Sequence, residues 1–166
     1  MSNPDRNRSV NCFVLTISDT RTEETDKSGN LMIQMLEDSG HKVVGRTIVR
    51  DEFEAIQKII KEKSKDAAVE AILTNGGTGM AKRDVTIEAV KSLLDKEMPG
   101  FGEVFRTLSY YEDIGSSAIM SRAIAGIVND RPIFTTPGSS GAVKLAMEKL
   151  ILKEFSHIVH EAQKDL

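Results

Sequence analysis

The run Thr74-Asn75-Gly76-Gly77-Thr78-Gly79 places three glycines in four residues, directly after the stretch Val69 to Leu73, which is apolar apart from Glu70. Glycines let backbone N–H groups approach an anion closely, and a helix N-terminus that follows adds positive potential. The loop therefore suits phosphate oxygens, although a plain strand-to-helix turn is the alternative. It matches neither familiar template. A P-loop needs a Lys-Ser/Thr pair after its second glycine, and a dinucleotide fingerprint needs glycine where Lys82 stands. Arg83-Asp84 lies just ahead of a helix expected from Thr86. Arg83 could clamp phosphate oxygens while Asp84 holds a magnesium ion bridging them. Asp84 could equally do no more than complement the helix dipole. Asp51 opens Asp51-Glu52-Phe53-Glu54, which has the form of a capping box and is accounted for by that role alone. Pro137-Gly138-Ser139-Ser140-Gly141 precedes another helix, where its N–H groups and hydroxyls could hold a second anion or Ser139 could act as an N-cap.

Other reactive side chains fit structural roles. Cys12 stands in an apolar run with no nearby cation to activate it and reads as core. His157 and His160 share a helix face without a cysteine or third histidine, so they read as solvated surface residues. A Ser-His-Asp hydrolase is disfavoured because no G-x-S-x-G elbow is present.

The elements that must position these residues alternate. Cys12 to Ile17 is a short apolar run that ends at Ser18-Asp19-Thr20, as a strand buried on both faces would. Leu31, Met32, Met35 and Leu36 recur at helical spacing, and Gly40 closes that helix. A second strand (Val43 to Val49) and a second helix (Ile56, Ile59, Ile60) follow, then the third strand, its glycine loop and a helix carrying Ile87, Val90, Leu93 and Leu94. Three cycles of this kind predict right-handed crossovers and an α/β fold, a three-layer α/β/α sandwich with a mostly parallel central sheet. Beyond Pro99-Gly100 the sequence predicts a helix over Phe101 to Tyr111, a short helix over Ser117 to Ala123, and strands at Ala125 to Asn129 and Ile133 to Thr136. Two closing helices then carry Val143, Met147, Leu150 and Ile151, and Phe155, Ile158 and Val159. In open α/β sheets ligands bind outside the carboxyl ends of the strands. The loops after the first, third and last strands should therefore converge on one site.

Composition sets outer limits. A chain of 166 residues suits one domain, read as a flexible tail over 1–10 and a single α/β domain over 11–166. With 22 basic and 25 acidic residues, the net charge of −3 argues against sequence-independent nucleic-acid binding. No segment approaches the apolar length of a membrane span, and the polar N-terminus lacks the apolar core of a secretory signal. The single cysteine suits a reducing compartment, and a cytoplasmic location is expected.

Taken together and in order, several of these motifs resemble the MoaB/MogA family of molybdenum cofactor biosynthesis. They are Thr74 to Gly79 with Arg83-Asp84-Val85-Thr86-Ile87-Glu88-Ala89, Pro99 to Arg106, Ser121-Arg122-Ala123-Ile124-Ala125-Gly126, and Pro137-Gly138. The resemblance runs from Val14 to Leu152 and implies a molybdopterin-binding α/β domain that assembles as a trimer or hexamer. It implies a Mg²⁺-dependent adenylylation in which ATP and molybdopterin give molybdopterin-AMP and pyrophosphate. A separate molybdate-insertion protein is the downstream acceptor. By resemblance, Asp51 and Asp84 are the acidic pair associated with Mg²⁺ and catalysis. Gly76, Gly77, Thr78, Gly79 and Arg83 match the nucleotide-phosphate region, and Ser18, Asp19, Ser121, Pro137, Gly138 and Ser139 the molybdopterin side. A catalytically silent molybdopterin-binding or assembly paralogue is the alternative. It is motivated by Ile87, where the family commonly has proline, and by Ser140.

Overall fold

Six of the seven residues of strand β1 (Asn11–Ile17) are buried, because each face of the strand meets a separate core. In the computed structural model, which describes residues 8–166, Cys12 and Val14 face one side and Phe13, Leu15 and Ile17 the other. This is the period-2 alternation of a strand covered on both faces, and it explains why the run reads as continuously apolar. Helix α1 (Lys27–Asp38) packs Met32 and Leu36 on the first face. After strand β2 (Lys42–Val49), helix α2 (Phe53–Lys63) packs Ile56 and Ile60 on the second. Strand β3 (Ala71–Asn75) is wholly buried, and helix α3 (Thr86–Lys91) adds Ala89 and Val90 to the second face.

The rest of the chain completes the sheet. It comprises strand β4 (Lys96–Glu97), helix α4 (Pro99–Glu112), a 3₁₀ turn (Gly115–Met120), and strands β5 (Ile124–Val128) and β6 (Arg131–Thr136). The strand order is β2-β1-β3-β6-β5-β4, with β2, β1, β3 and β6 mutually parallel and β5 antiparallel to both its neighbours. The three-layer α/β sandwich with a mostly parallel sheet is therefore as expected. The antiparallel step arises from the hairpin at Asn129-Asp130, whose φ angles of 46° and 66° make the tight turn that joins twisted strands.

Several local expectations change. The two closing helices are one continuous rod: α5 (Ser140–Ala146), a π-helical turn (Met147–Ile151) and α6 (Leu152–Gln163). Val143, Met147, Ile151, Phe155 and Val159 are all buried at four-residue spacing. On a regular helix that spacing drifts about 40° per step, and the wider π turn brings the later positions back to the core. The short helix expected over Ser117 to Ala123 is the 3₁₀ turn and stops at Met120, because Ser121 is already extended with ψ 131°. Leu93 and Leu94 lie beyond the end of α3. Of the segment read as a tail, residues 8–10 are tied to the domain. Arg8 pairs with Glu70 at 2.7 Å, the Ser156 hydroxyl donates to the Arg8 carbonyl at 2.6 Å, and Val10 is fully buried. Residues 1–7 lie outside the described part. Among the described residues no helix is long and apolar enough to cross a membrane.

Candidate functional site

Because β1, β3 and β6 are neighbours and parallel, their carboxyl ends open on the same edge, and the loops that follow them enclose a cavity of about 450 Å³. Its lining brings together Ser18, Asp19, Asp51, Gly76, Gly77, Thr78, Gly79, Arg83, Asp84, Ser121, Pro137 and Gly138, nearly the full set expected from the sequence. Ser139 is the exception. It is the N-cap of α5, and its hydroxyl accepts the Ala142 N–H at 3.1 Å, so that oxygen serves the helix.

The glycine loop takes its shape from two left-handed residues. Gly76 (φ +99°) and Gly77 (φ +69°) cross β1 so closely that a side chain on Gly76 would collide with the Ile17 carbonyl. One on Gly77 would meet the Thr86 hydroxyl. The loop is tied down by Gly76 N–H donating to Thr136 at 3.1 Å and Thr86 N–H donating to Gly77 at 3.0 Å. Among the described residues, no protein acceptor pairs with the N–H groups of Gly77, Thr78, Gly79 and Met80. Buried or half-buried donors are ordinarily satisfied. The three that line the cavity, Gly77 to Gly79, are a ready cradle for anionic oxygens.

The carboxylates stand around this cradle. Asp84 does not cap α3; its Oδ2 accepts the Ala81 N–H at 3.0 Å, folding the loop back on itself. Nor does Asp51 cap α2. That helix starts at Phe53 with Glu52 in the cap position and no side-chain cap bond, so the capping-box account of Asp51 is corrected. Asp51 is one residue too early to reach the first turn. Its N–H instead donates to Asp19 Oδ1 at 3.0 Å, and its side chain lines the cavity.

Partial burial pushes the Asp51 carboxyl above its ordinary range. The like charges of Asp19 and Asp84 add to the rise, and Arg83 partly opposes it. A raised carboxyl pKa means that the folded state binds a proton which the unfolded chain has already lost. Stability therefore falls as pH climbs from the ordinary aspartate value through the raised one, and the cost persists at neutral pH. Asp51→Asn should consequently raise the melting temperature of the chelator-treated protein at pH 7. The gain should shrink at acid pH, where wild-type Asp51 is protonated. An equal or lower melting temperature at pH 7 would show that Asp51 is not under electrostatic strain.

Two arginines organise the site in a way the sequence did not disclose. Arg21 lines the cavity and joins three strand ends. Its Nη1 donates to Asp26 Oδ1 (3.3 Å), Ser28 Oγ (2.6 Å) and Asn75 Oδ1 (3.3 Å), and its Nη2 to the Gly138 carbonyl (2.8 Å). Arg122 reaches the glycine loop from the segment before β5 and is bonded to Thr78, Gly79, Asp84 and Glu88. Ser18, expected on the substrate side, spends its hydroxyl on the N–H groups of Thr20 (3.2 Å) and Arg21 (3.1 Å) and so shapes the loop after β1. Cys12 is fully buried, and its thiol is held far above the reactive range by burial first and by Glu70 second.

A family profile described as "Probable molybdopterin binding domain" matches residues 13–157. The chain belongs to this family. Molybdenum cofactor biosynthesis protein B of Bacillus subtilis (strain 168) is 59% identical over 156 residues, covering 94% of this chain and 92% of that protein. A crystal structure of a molybdenum cofactor biosynthesis protein B superposes with a TM-score of 0.93 at 56% identity, covering 95% of this chain and 98% of the other. The tungsten cofactor synthesizing protein MoaB from Pyrococcus furiosus gives 0.82 at 38% identity, covering 94% and 98%. The molybdopterin-binding domain thus spans almost the whole described chain. The cavity lies within it, at the carboxyl edge of its parallel strands.

Proposed function

We propose that this protein is a Mg²⁺-dependent molybdopterin adenylyltransferase, which transfers AMP from ATP to the terminal phosphate of molybdopterin and releases pyrophosphate. The observation that carries the reading is one cavity lined both by an unclaimed run of loop N–H groups, Gly77 to Gly79, and by two carboxylates, Asp51 and Asp84. Phosphate oxygens and a divalent cation satisfy these two halves together.

The carboxylates fit magnesium chemically. Both are hard oxygen donors, and the like-charge strain on Asp51 is what a bound dication would relieve. No group of three or more His, Cys, Asp or Glu among the described residues could hold a metal. That suits an ion which keeps water and substrate phosphate in its shell. Held by Asp51 and Asp84, Mg²⁺ would neutralise charge on the triphosphate and favour departure of pyrophosphate.

The remaining work falls to the chain itself. A molybdopterin phosphate oxygen attacks the α-phosphorus of ATP, and the bond from that phosphorus to the pyrophosphate oxygen breaks. The nucleophile is already ionised, so it needs alignment and no general base. The N–H groups of Gly77 to Gly79 stabilise phosphate oxygens without titrating, and Arg83 supplies positive charge at the rim. Ser121, Pro137 and Gly138 also line the cavity, where the pterin would lie. The same reading carries assembly of copies as a trimer or hexamer and delivery of the product to a molybdate-insertion protein in the cytoplasm.

Incubation with molybdopterin, ATP and Mg²⁺ should give molybdopterin-AMP and pyrophosphate in equal amounts, followed by chromatography and phosphate release. Molybdopterin bound with no product above an enzyme-free control would overturn the transferase reading and leave a binding or assembly paralogue in its place.

A further inference from the structure

We propose that Arg122 is a positioning residue, whose guanidinium fixes the glycine loop so that the Gly79 N–H group is presented to phosphate oxygens. The inference rests on the phosphate-cradle reading of the loop and adds a residue to which that reading assigns no task.

The bonds of Arg122 converge on the loop. Its Nε donates to the Thr78 carbonyl at 3.0 Å, and its Nη2 to the carbonyls of Gly79 at 2.8 Å and Asp84 at 3.0 Å. Nη1 is turned to the Glu88 carboxylate, whose oxygens lie at 2.6 and 3.1 Å. The Nε and Nη2 donors are thus all taken by loop carbonyls. Although Arg122 borders the cavity, these bonds make it act through the loop.

The geometry of the peptide unit says how. In a planar trans peptide the C=O and the following N–H point in opposite directions. Holding the Thr78 carbonyl therefore turns the Gly79 N–H away from the guanidinium, and holding the Gly79 carbonyl does the same for the Met80 N–H. These are two of the four loop donors that no protein acceptor takes up among the described residues. Glycine backbones are otherwise free to rotate their peptide planes, so a loop this rich in glycine needs an external constraint to stay preorganised. The third carbonyl, that of Asp84, fastens the far end of the loop to the same guanidinium. A lysine cannot replace this fork, since one ammonium cannot reach three carbonyls and a carboxylate in fixed directions.

The test uses full-length protein and the variants Arg122→Lys and Glu88→Gln. Arg122→Lys should raise KM for Mg·ATP about tenfold or more, leave KM for molybdopterin within twofold, and speed amide exchange at Ala81 and Thr86, whose N–H groups are bonded within the loop. Glu88→Gln keeps the three carbonyl bonds and should leave KM for Mg·ATP within twofold. A KM for Mg·ATP unchanged in Arg122→Lys, or both KM values raised alike, would overturn the inference; so would an equal effect of the two variants. A role confined to folding would lower kcat through loss of active protein without moving one KM alone. If the lysine variant does not fold, Arg122→Gln, whose amide can still donate two bonds, should show the same selectivity with a smaller rise. Titration with Mg·ATP alone, with amide exchange, needs no turnover. If wild-type protein makes no product yet Arg122→Lys weakens Mg·ATP binding tenfold, the transferase reading falls and the role of Arg122 stands. Turnover by wild type with unchanged nucleotide affinity in the variant keeps the transferase reading and overturns the role of Arg122.

Discussion

Asp84→Asn is expected to lower the rate of molybdopterin adenylylation by about 10²–10³-fold or more, the scale of removing one electrostatic stabiliser of a charged transition state, while the fold stays intact. Asparagine matches aspartate in size and keeps an amide oxygen in place of Oδ2, which can still accept the Ala81 N–H bond now made at 3.0 Å. The loop therefore retains its internal tie, and the Arg122 bond to the Asp84 backbone carbonyl is untouched. What disappears is one negative charge beside the phosphate cradle. The substitution thus separates charge from shape, which alanine would not. The rate at saturating ATP and Mg²⁺ should fall, with a melting temperature close to wild type. Below saturating Mg²⁺ the loss should be larger still, because Asp51 alone offers a carboxylate to the ion. Adding Asp51→Asn should cost less than the product of the single effects, as residues acting on one ion are not additive. An Asp84→Asn protein that turns over at the wild-type rate would remove Asp84 from the mechanism.

How much of this arrangement was legible in the sequence depends on how local its causes are. The glycine loop could be read because its need for φ > 0 is written into residue type, and Gly76 and Gly77 do adopt it. The alternation of strands and helices could be read because burial on both faces leaves apolar runs in β1 and in the first three residues of β3. From those two facts the cavity followed, with Asp84, Thr78 and Gly138 in its wall. Asp51 was legible as a site residue through the family's motif order alone; its local pattern pointed to a helix cap that the chain does not make. The clamps were not legible. Arg122 meets the glycine loop, and Arg21 meets Gly138, across distances in sequence that no periodicity records. The π turn was hidden for a related reason, since a four-residue rhythm can be met by two helices or by one rod with a wide turn.

Asp26 is the clearest case of a residue whose sequence context understates it, and its removal should be the most destabilising single change near the site. It sits in a polar loop where an exposed carboxylate is the default, with only its place before α1 to suggest an N-cap. Its side chain is in fact wholly buried and accepts from four donors: Thr16 Oγ1 at 2.7 Å, Gly29 N–H at 3.0 Å, Arg21 at 3.3 Å and Arg46 at 2.9 Å. Asp26→Ala strands the cap, a buried hydroxyl and two cations together. Removing one partner of a buried ion pair costs about 3–5 kcal/mol. The lower end applies here, because Arg21 and Arg46 remain 30% and 22% exposed and can recover some hydration. About 3 kcal/mol should lower the melting temperature by roughly 6–12 °C. Asp26→Asn should recover only a minor part, since its amide nitrogen would face donors where Oδ2 or Oδ1 accepted. The effect should also reach the ligand side. Without Asp26, Arg21 loses an anchor that holds it against Asn75 and the Gly138 carbonyl, so molybdopterin binding should weaken more than Mg·ATP binding. Thermal unfolding and paired titrations check both parts. A melting temperature within about 2 °C of wild type, less than 1 kcal/mol produces in a chain this size, would mean that solvent readily replaces Asp26 for its two arginines. Equal losses for the two ligands would mean that Arg21 stiffens the whole cavity and not the Pro137-Gly138 wall alone.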